Sequence, residues 1–137
     1  MMQSSLIIGL IASVFCIQSA WAHEEENDIY SQCVDKVIEQ QKLPGINNMV
    51  VDACSNEAVG IYQKKIVKLL DRIKQQSQTF AQPERYQKIM KSQQLWKAYV
   101  DQECSNAGDF IGSPMYGFCP MEEYSLRVKQ LSQYADE

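Results

Sequence analysis

Residues 50–76 read VVDACSNEAVGIYQKKIVKLLDRIKQQ. Within and beside them Val51, Cys54, Ala58, Tyr62, Ile66, Leu69 and Ile73 recur at steps of three and four, the spacing of one face of an α-helix. A helix that starts after Asn47 or Asn48 and runs to about Gln76 spans roughly 43 Å at 1.5 Å per residue. Only an equally long neighbour can bury such a length. One is predicted from Pro83, a residue suited to a first helical turn, through Tyr86, Ile89, Gln93, Trp96 and Val100 to Cys104. The link over 77–82 is short, so the two helices must run antiparallel.

Two further helices flank this pair. One fits 28–42, with Asn27 or Asp28 as its cap, Ile29, Cys33, Val37 and Ile38 on one stripe, and Leu43-Pro44-Gly45 as its stop. The last follows Pro120, with Met121, Tyr124, Val128, Leu131 and Tyr134 on one face and Glu122 and Glu123 in its first turn, where the helix dipole favours negative charge. No segment alternates with period two for long enough to be a strand. The expected fold is therefore all-α: a small antiparallel helical bundle, a long hairpin plus N- and C-terminal helices, stapled by two disulfides.

The staples follow from the compartment. Residues 5–17, SLIIGLIASVFCI, are uncharged and apolar and lead into the small-residue pattern Ala20-Trp21-Ala22, which predicts a signal peptide over 1–22 and one mature domain over 23–137 in the periplasm or outside the cell. The apolar run is shorter than the roughly 20 residues of a spanning helix, so no stable membrane anchor is expected. Cys16 follows Phe15 rather than a small residue, which argues against lipidation. The mature chain of about 115 residues suits one domain with one core and keeps Cys33, Cys54, Cys104 and Cys119. An even count in a short exported chain reads as two disulfides. Four cysteines allow three pairings; if all four gather at one end of the bundle, Cys54–Cys104 with Cys33–Cys119 is favoured over the other two.

Charge is segregated. Acidic residues dominate 23–57 and the stretch from 101 onward, whereas 58–100 is basic, an asymmetry that bears on partners rather than fold. Reaction machinery is nearly absent: no Gly-x-Ser-x-Gly, no His-Glu-x-x-His, no phosphate-cradling glycine loop, and a sole histidine, His23, at the new N-terminus. Asp101 and Glu103 stand two apart on a helix and so point in different directions, which disfavours a glycosidase pair. No catalytic residue, cofactor or metal is expected.

Two segments could contact a partner. Residues 105–118 join Gly and Ser to Phe110, Ile111, Met115, Tyr116 and Phe118, either as an exposed surface between two cysteines or as a cover for the bundle end. The basic residues Lys64, Lys65, Lys68, Arg72, Lys74, Arg85, Lys88 and Lys91 near the opposite tip could meet an anionic envelope surface; nucleic acid is not an expected partner of an exported acidic protein.

Several of these residues together resemble a known family. Cys54 seven residues into a capped helix, Gln93-x-x-Trp96-x-x-Tyr99-x-Asp101-x-x-Cys104, Gly112-Ser113, Cys119, and Arg127 followed by Leu131 are similar to the LprI-like lysozyme-inhibitor domain, over nearly the whole mature chain. The chain departs from that pattern at Val100, where the family usually has arginine, and in the wider spacing of Cys33 and Cys54. The resemblance implies a four-cysteine helical fold and a lysozyme-type enzyme as partner. The expected contacts on that partner are Asp101, Glu103, Asp109, Phe110 and Tyr116, at the acidic, cysteine-bearing end.

Overall fold

The computed structural model describes residues 28–135. They form four helices: α1 (Ile29–Gln41), α2 (Asn48–Thr79), α3 (Pro83–Phe110) and α4 (Met115–Ala135). The signal-peptide boundary, Trp21 and His23 lie outside the described residues.

Local chemistry sets the helix ends. The Asp28 carboxylate accepts from the Tyr30 N–H at 3.2 Å and the Ser31 hydroxyl at 3.0 Å, and Asn47 Oδ1 accepts from the Val50 N–H at 3.0 Å; each satisfies an amide that the first turn leaves orphaned. α1 closes at Lys42, in the left-handed region at φ 51, before Pro44. α2 closes through Ala81, also left-handed at φ 52, where the Gln82 N–H reaches back to the Ser77 carbonyl at 2.8 Å. Pro83 then opens α3 as the sequence predicts.

Packing differs from expectation in which helix covers α2. The chief neighbour of α2 is α4, which also packs on α3. Ala58, Tyr62, Ile66 and Ile73 of α2 meet Met121, Tyr124, Val128, Leu131 and Ala135 of α4 in the main core. α3 buries fully only Val100, Cys104 and Gly108, so it lacks the apolar stripe needed to cover α2 alone. Tyr134, expected on the buried face, is exposed, and Ala135 takes the inward position. α1 lies on the N-terminal part of α2, where Cys33, Val34, Val50 and Cys54 make a second cluster.

The segment 105–118 is mostly helix. α3 continues through Ser105 to Phe110, and only 111–114 turn the chain. α4 begins at Met115, so Pro120 sits inside it rather than before it, and Glu122 and Glu123 are not in its first turn. The turn through Gly112, at φ 142, supplies carbonyl acceptors to the Met115, Tyr116 and Phe118 N–H groups, and these replace the start that Pro120 was expected to provide.

This extension also corrects the disulfides. They are Cys33–Cys54, with Cα atoms 5.5 Å apart, and Cys104–Cys119, 5.4 Å apart, not the favoured cross-pairing. All four cysteines do lie toward one end. Because α3 overshoots Cys104 by six residues and α4 doubles straight back, however, Cys119 returns beside Cys104, while Cys54 faces α1. Each bridge staples helices that are neighbours in sequence.

Candidate partner-binding surface

The end of α3 and the start of α4 form a tightly constrained exposed region. Beyond the Cys104–Cys119 bridge, Gly108 lets the helices close: a Cβ there would overlap the Tyr116 ring, 2.5 Å from its Cζ. Tyr116 therefore lies across the α3 backbone and donates its hydroxyl to the Asp109 carboxylate. That bond holds the Tyr116 phenol above its ordinary range. On the other side of the turn, a Cβ at Gly117 would stand 3.2 Å from Asp52 Oδ1 and 3.4 Å from Ser55 Cβ, so α4 also approaches α2 closely. The ring itself remains 52% exposed.

Beside it runs a shallow cleft of about 360 Å³, walled by Val59 and Gln63 of α2, Lys97 and Asp101 of α3, and Tyr116 and Tyr124 of α4. Lys97 bonds to Asp101 one turn on, and this bond is the main reason its ammonium is held above the ordinary lysine range. Both side chains are about half exposed or more, so the pair fixes orientation more than it adds stability.

The five expected contacts thus divide. Asp101 and Tyr116 share the cleft, with Asp109 tied to Tyr116. Glu103 and Phe110, seven residues apart and so nearly aligned on a helix, face the opposite side of α3; Phe110 is 87% exposed. Phe110 and Ile111 do not cover the bundle end.

The residues that carry the family resemblance divide as well. Arg127 is 4% exposed. Its Nε donates to Gln93 Oε1 at 2.8 Å, its Nη1 to Gln130 Oε1 at 3.1 Å and its Nη2 to Ser92 Oγ at 3.3 Å. The guanidinium lies 5.6 Å from the Trp96 ring centre, and Trp96 meets Tyr124 edge-on at 4.9 Å. Burial pushes the Arg127 pKa down from its ordinary value; neutral amide and hydroxyl acceptors and an aromatic face replace its water. Gln93, Trp96 and Arg127 accordingly lock α3 to α4 from inside, whereas Tyr99 and Asp101 stay outside. Sequence reading passed over Gly108, Ser92 and Gln130 and gave Tyr124 only a place on the buried face of the last helix. One available signal was the glycine one turn beyond Cys104.

On the basic stretch, Lys64, Lys68 and Arg72 follow at four-residue steps on α2. Lys65 stands 5.9 Å from the Tyr62 ring centre, and Arg85 donates to the Tyr134 carbonyl at 3.0 Å. Among the described residues no cluster of three or more His, Cys, Asp or Glu could hold a metal ion, and no helix is long and apolar enough to cross a membrane.

A family model described as lysozyme inhibitor LprI matches residues 33–131. No curated protein and no solved structure matches the chain.

Proposed function

The chain belongs to the lysozyme inhibitor LprI family, and from that premise we propose that it is an exported binding protein that inhibits a lysozyme-type cell-wall hydrolase without catalysis. In this reading residues 1–22 are removed as a signal peptide, 23–137 act as one domain in the periplasm or outside the cell, and the acidic, disulfide-pinned end of the bundle docks on the enzyme. The family match carries the inhibitor class. Support for the docking end comes from the Tyr116 ring fixed on Gly108 beside Asp109 and Asp101. A rigid aromatic anchor binds at low entropic cost, and nearby carboxylates accelerate encounter with a basic enzyme more than they deepen affinity. Asp101, Asp109 and Tyr116 form this contact, while Glu103 and Phe110, on the opposite side of α3, lie outside it.

The test is lysozyme turnover of bacterial cell walls with the oxidised protein titrated in. The expected result is dose-dependent inhibition, lost on reduction and alkylation and weakened in D101K/D109K with a flatter salt dependence. No inhibition at large excess overturns the reading. A second reading, favoured by the row Lys64, Lys68 and Arg72, is binding of an anionic envelope surface through the basic stretch without effect on lysozyme. Retention on lipopolysaccharide that vanishes in K64A/K68A/R72A supports it; retention unchanged by those substitutions removes it.

A further inference from the structure

Large apolar side chains line an outer face of α3 that no other described helix covers. Leu95 (64% exposed), Tyr99 (53%) and Phe110 fall within about 60° of one another at 100° per residue. Gln102 and Asn106 complete the row, and Gln102 Nε2 donates to Asn106 Oδ1 at 3.0 Å, so part of their polar capacity is already used. Apolar groups gathered on one exposed face mark an interaction surface. Charge along the row is graded: in the first half of α3 exposed Lys88 and Lys91 outweigh Glu84, and in the second half exposed Glu103 stands while Asp109 is turned to Tyr116.

A face that is basic at one end and acidic at the other is complementary to itself run backwards, the condition that a two-fold interface imposes. Parallel pairing would set lysine on lysine and carboxylate on carboxylate. We propose that the outer face of α3 pairs antiparallel with the same face of a second copy of this chain, about a two-fold axis near residue 97. Leu95 and Tyr99 of both copies meet at the centre, and the Lys88/Lys91 end of each lies over the Glu103 end of the other. The row is roughly 33 Å long and one helix wide, so the contact falls below the roughly 800 Å² per partner of a stable complex. The dimer is therefore weak and depends on concentration. It covers Glu103 and Phe110 and leaves the Asp101–Tyr116 cleft open on the other side of α3.

Sedimentation equilibrium of the oxidised protein from about 5 μM to about 1 mM tests this, a range that brackets dissociation constants of weak dimers. The expected result is a mass that rises from one copy toward two across the range. L95E stays monomeric, its dissociation constant raised at least about tenfold, with unchanged far-ultraviolet circular dichroism. K88E/K91E and Q102K/E103K are each monomeric alone, yet their equimolar mixture dimerises, because each copy then offers the other an opposite charge at both ends. A wild-type protein that stays monomeric throughout, single variants that dimerise like wild type, or a mixture that does not recover would each overturn the proposal.

Discussion

Replacing Cys104 and Cys119 together by alanine removes the bridge that pins the start of α4 against the end of α3. The two cysteines are 15 residues apart, and closing such a loop stabilises the fold by about 3 kcal/mol on the chain-entropy account. Cys33–Cys54, with a separation of 21, is worth slightly more by the same relation. Either loss is a large share of the roughly 5–15 kcal/mol of a typical domain. With a urea slope of about 1.5 kcal/mol/M, it moves the unfolding midpoint down by about 2 M. Circular dichroism at 222 nm follows that midpoint, and lysozyme inhibition is measured at a temperature where both variants remain folded. C104A/C119A is expected to lose inhibition, since Tyr116 and Asp109 are no longer held together, whereas C33A/C54A keeps it at similar cost in stability. Thiol titration of unfolded C33A/C54A prepared as residues 23–137, which lack Cys16, should find no free thiol. Two free thiols there would refute the pairing, and a midpoint shift well under 1 M in both variants would refute the loop argument.

Three other outcomes are expected. Gly108→Ala gains about 1 kcal/mol of helix propensity but evicts the Tyr116 ring, so its melting temperature should hold or rise while inhibition falls; unchanged inhibition would detach Tyr116 from the contact. Leu131→Ala, at a fully buried core position, should cost roughly 3–5 kcal/mol in a urea titration, while Leu126→Ala on the exposed side of the same helix should cost under about 0.5 kcal/mol. The Tyr116 phenol is raised in the folded state, so the contribution of its bond to Asp109 is complete below the unfolded phenol pKa of about 10 and disappears as pH rises through the higher folded value. Comparing wild type with Y116F by tyrosinate absorbance and alkaline unfolding reads this directly. A Tyr116 titration at or below the free phenol value would contradict it.

Periodicity made the helices legible. Ala58, Tyr62, Ile66 and Ile73 are buried where three-and-four spacing puts them, the caps Asp28 and Asn47 stand where their side-chain chemistry requires, and Pro83 opens α3 as its first residue. What failed depended on tertiary approach. Pro120 reads as a helix start because proline is tolerated in a first turn, yet the Gly112 turn had already begun α4 five residues earlier. A helix ending at Cys104 and another starting after Pro120 give Cys104 and Cys119 no reason to face one another, and the expected pairing rests on that geometry. Spacing likewise placed Asp101, Glu103, Asp109 and Phe110 on one segment, but a helix turns them to opposite sides. Arg127 enters the sequence reading only through the family resemblance, and spacing alone gives no sign that Ser92, Gln93 and Gln130 hold it between α3 and α4.

The succession of the two bridges has a consequence for how the molecule matures. Cys33 is bonded to the next cysteine in the chain, and Cys104 to the one after it. In the exported chain proposed above, from which Cys16 is removed with residues 1–22, emergence N-terminus first presents Cys54 to Cys33 before either cysteine of the second pair has appeared. Oxidation in order of arrival therefore yields the native set directly, with no reshuffling step. An oxidant acting on the emerging chain is sufficient, and an isomerase is needed only when a complete reduced chain is refolded at once.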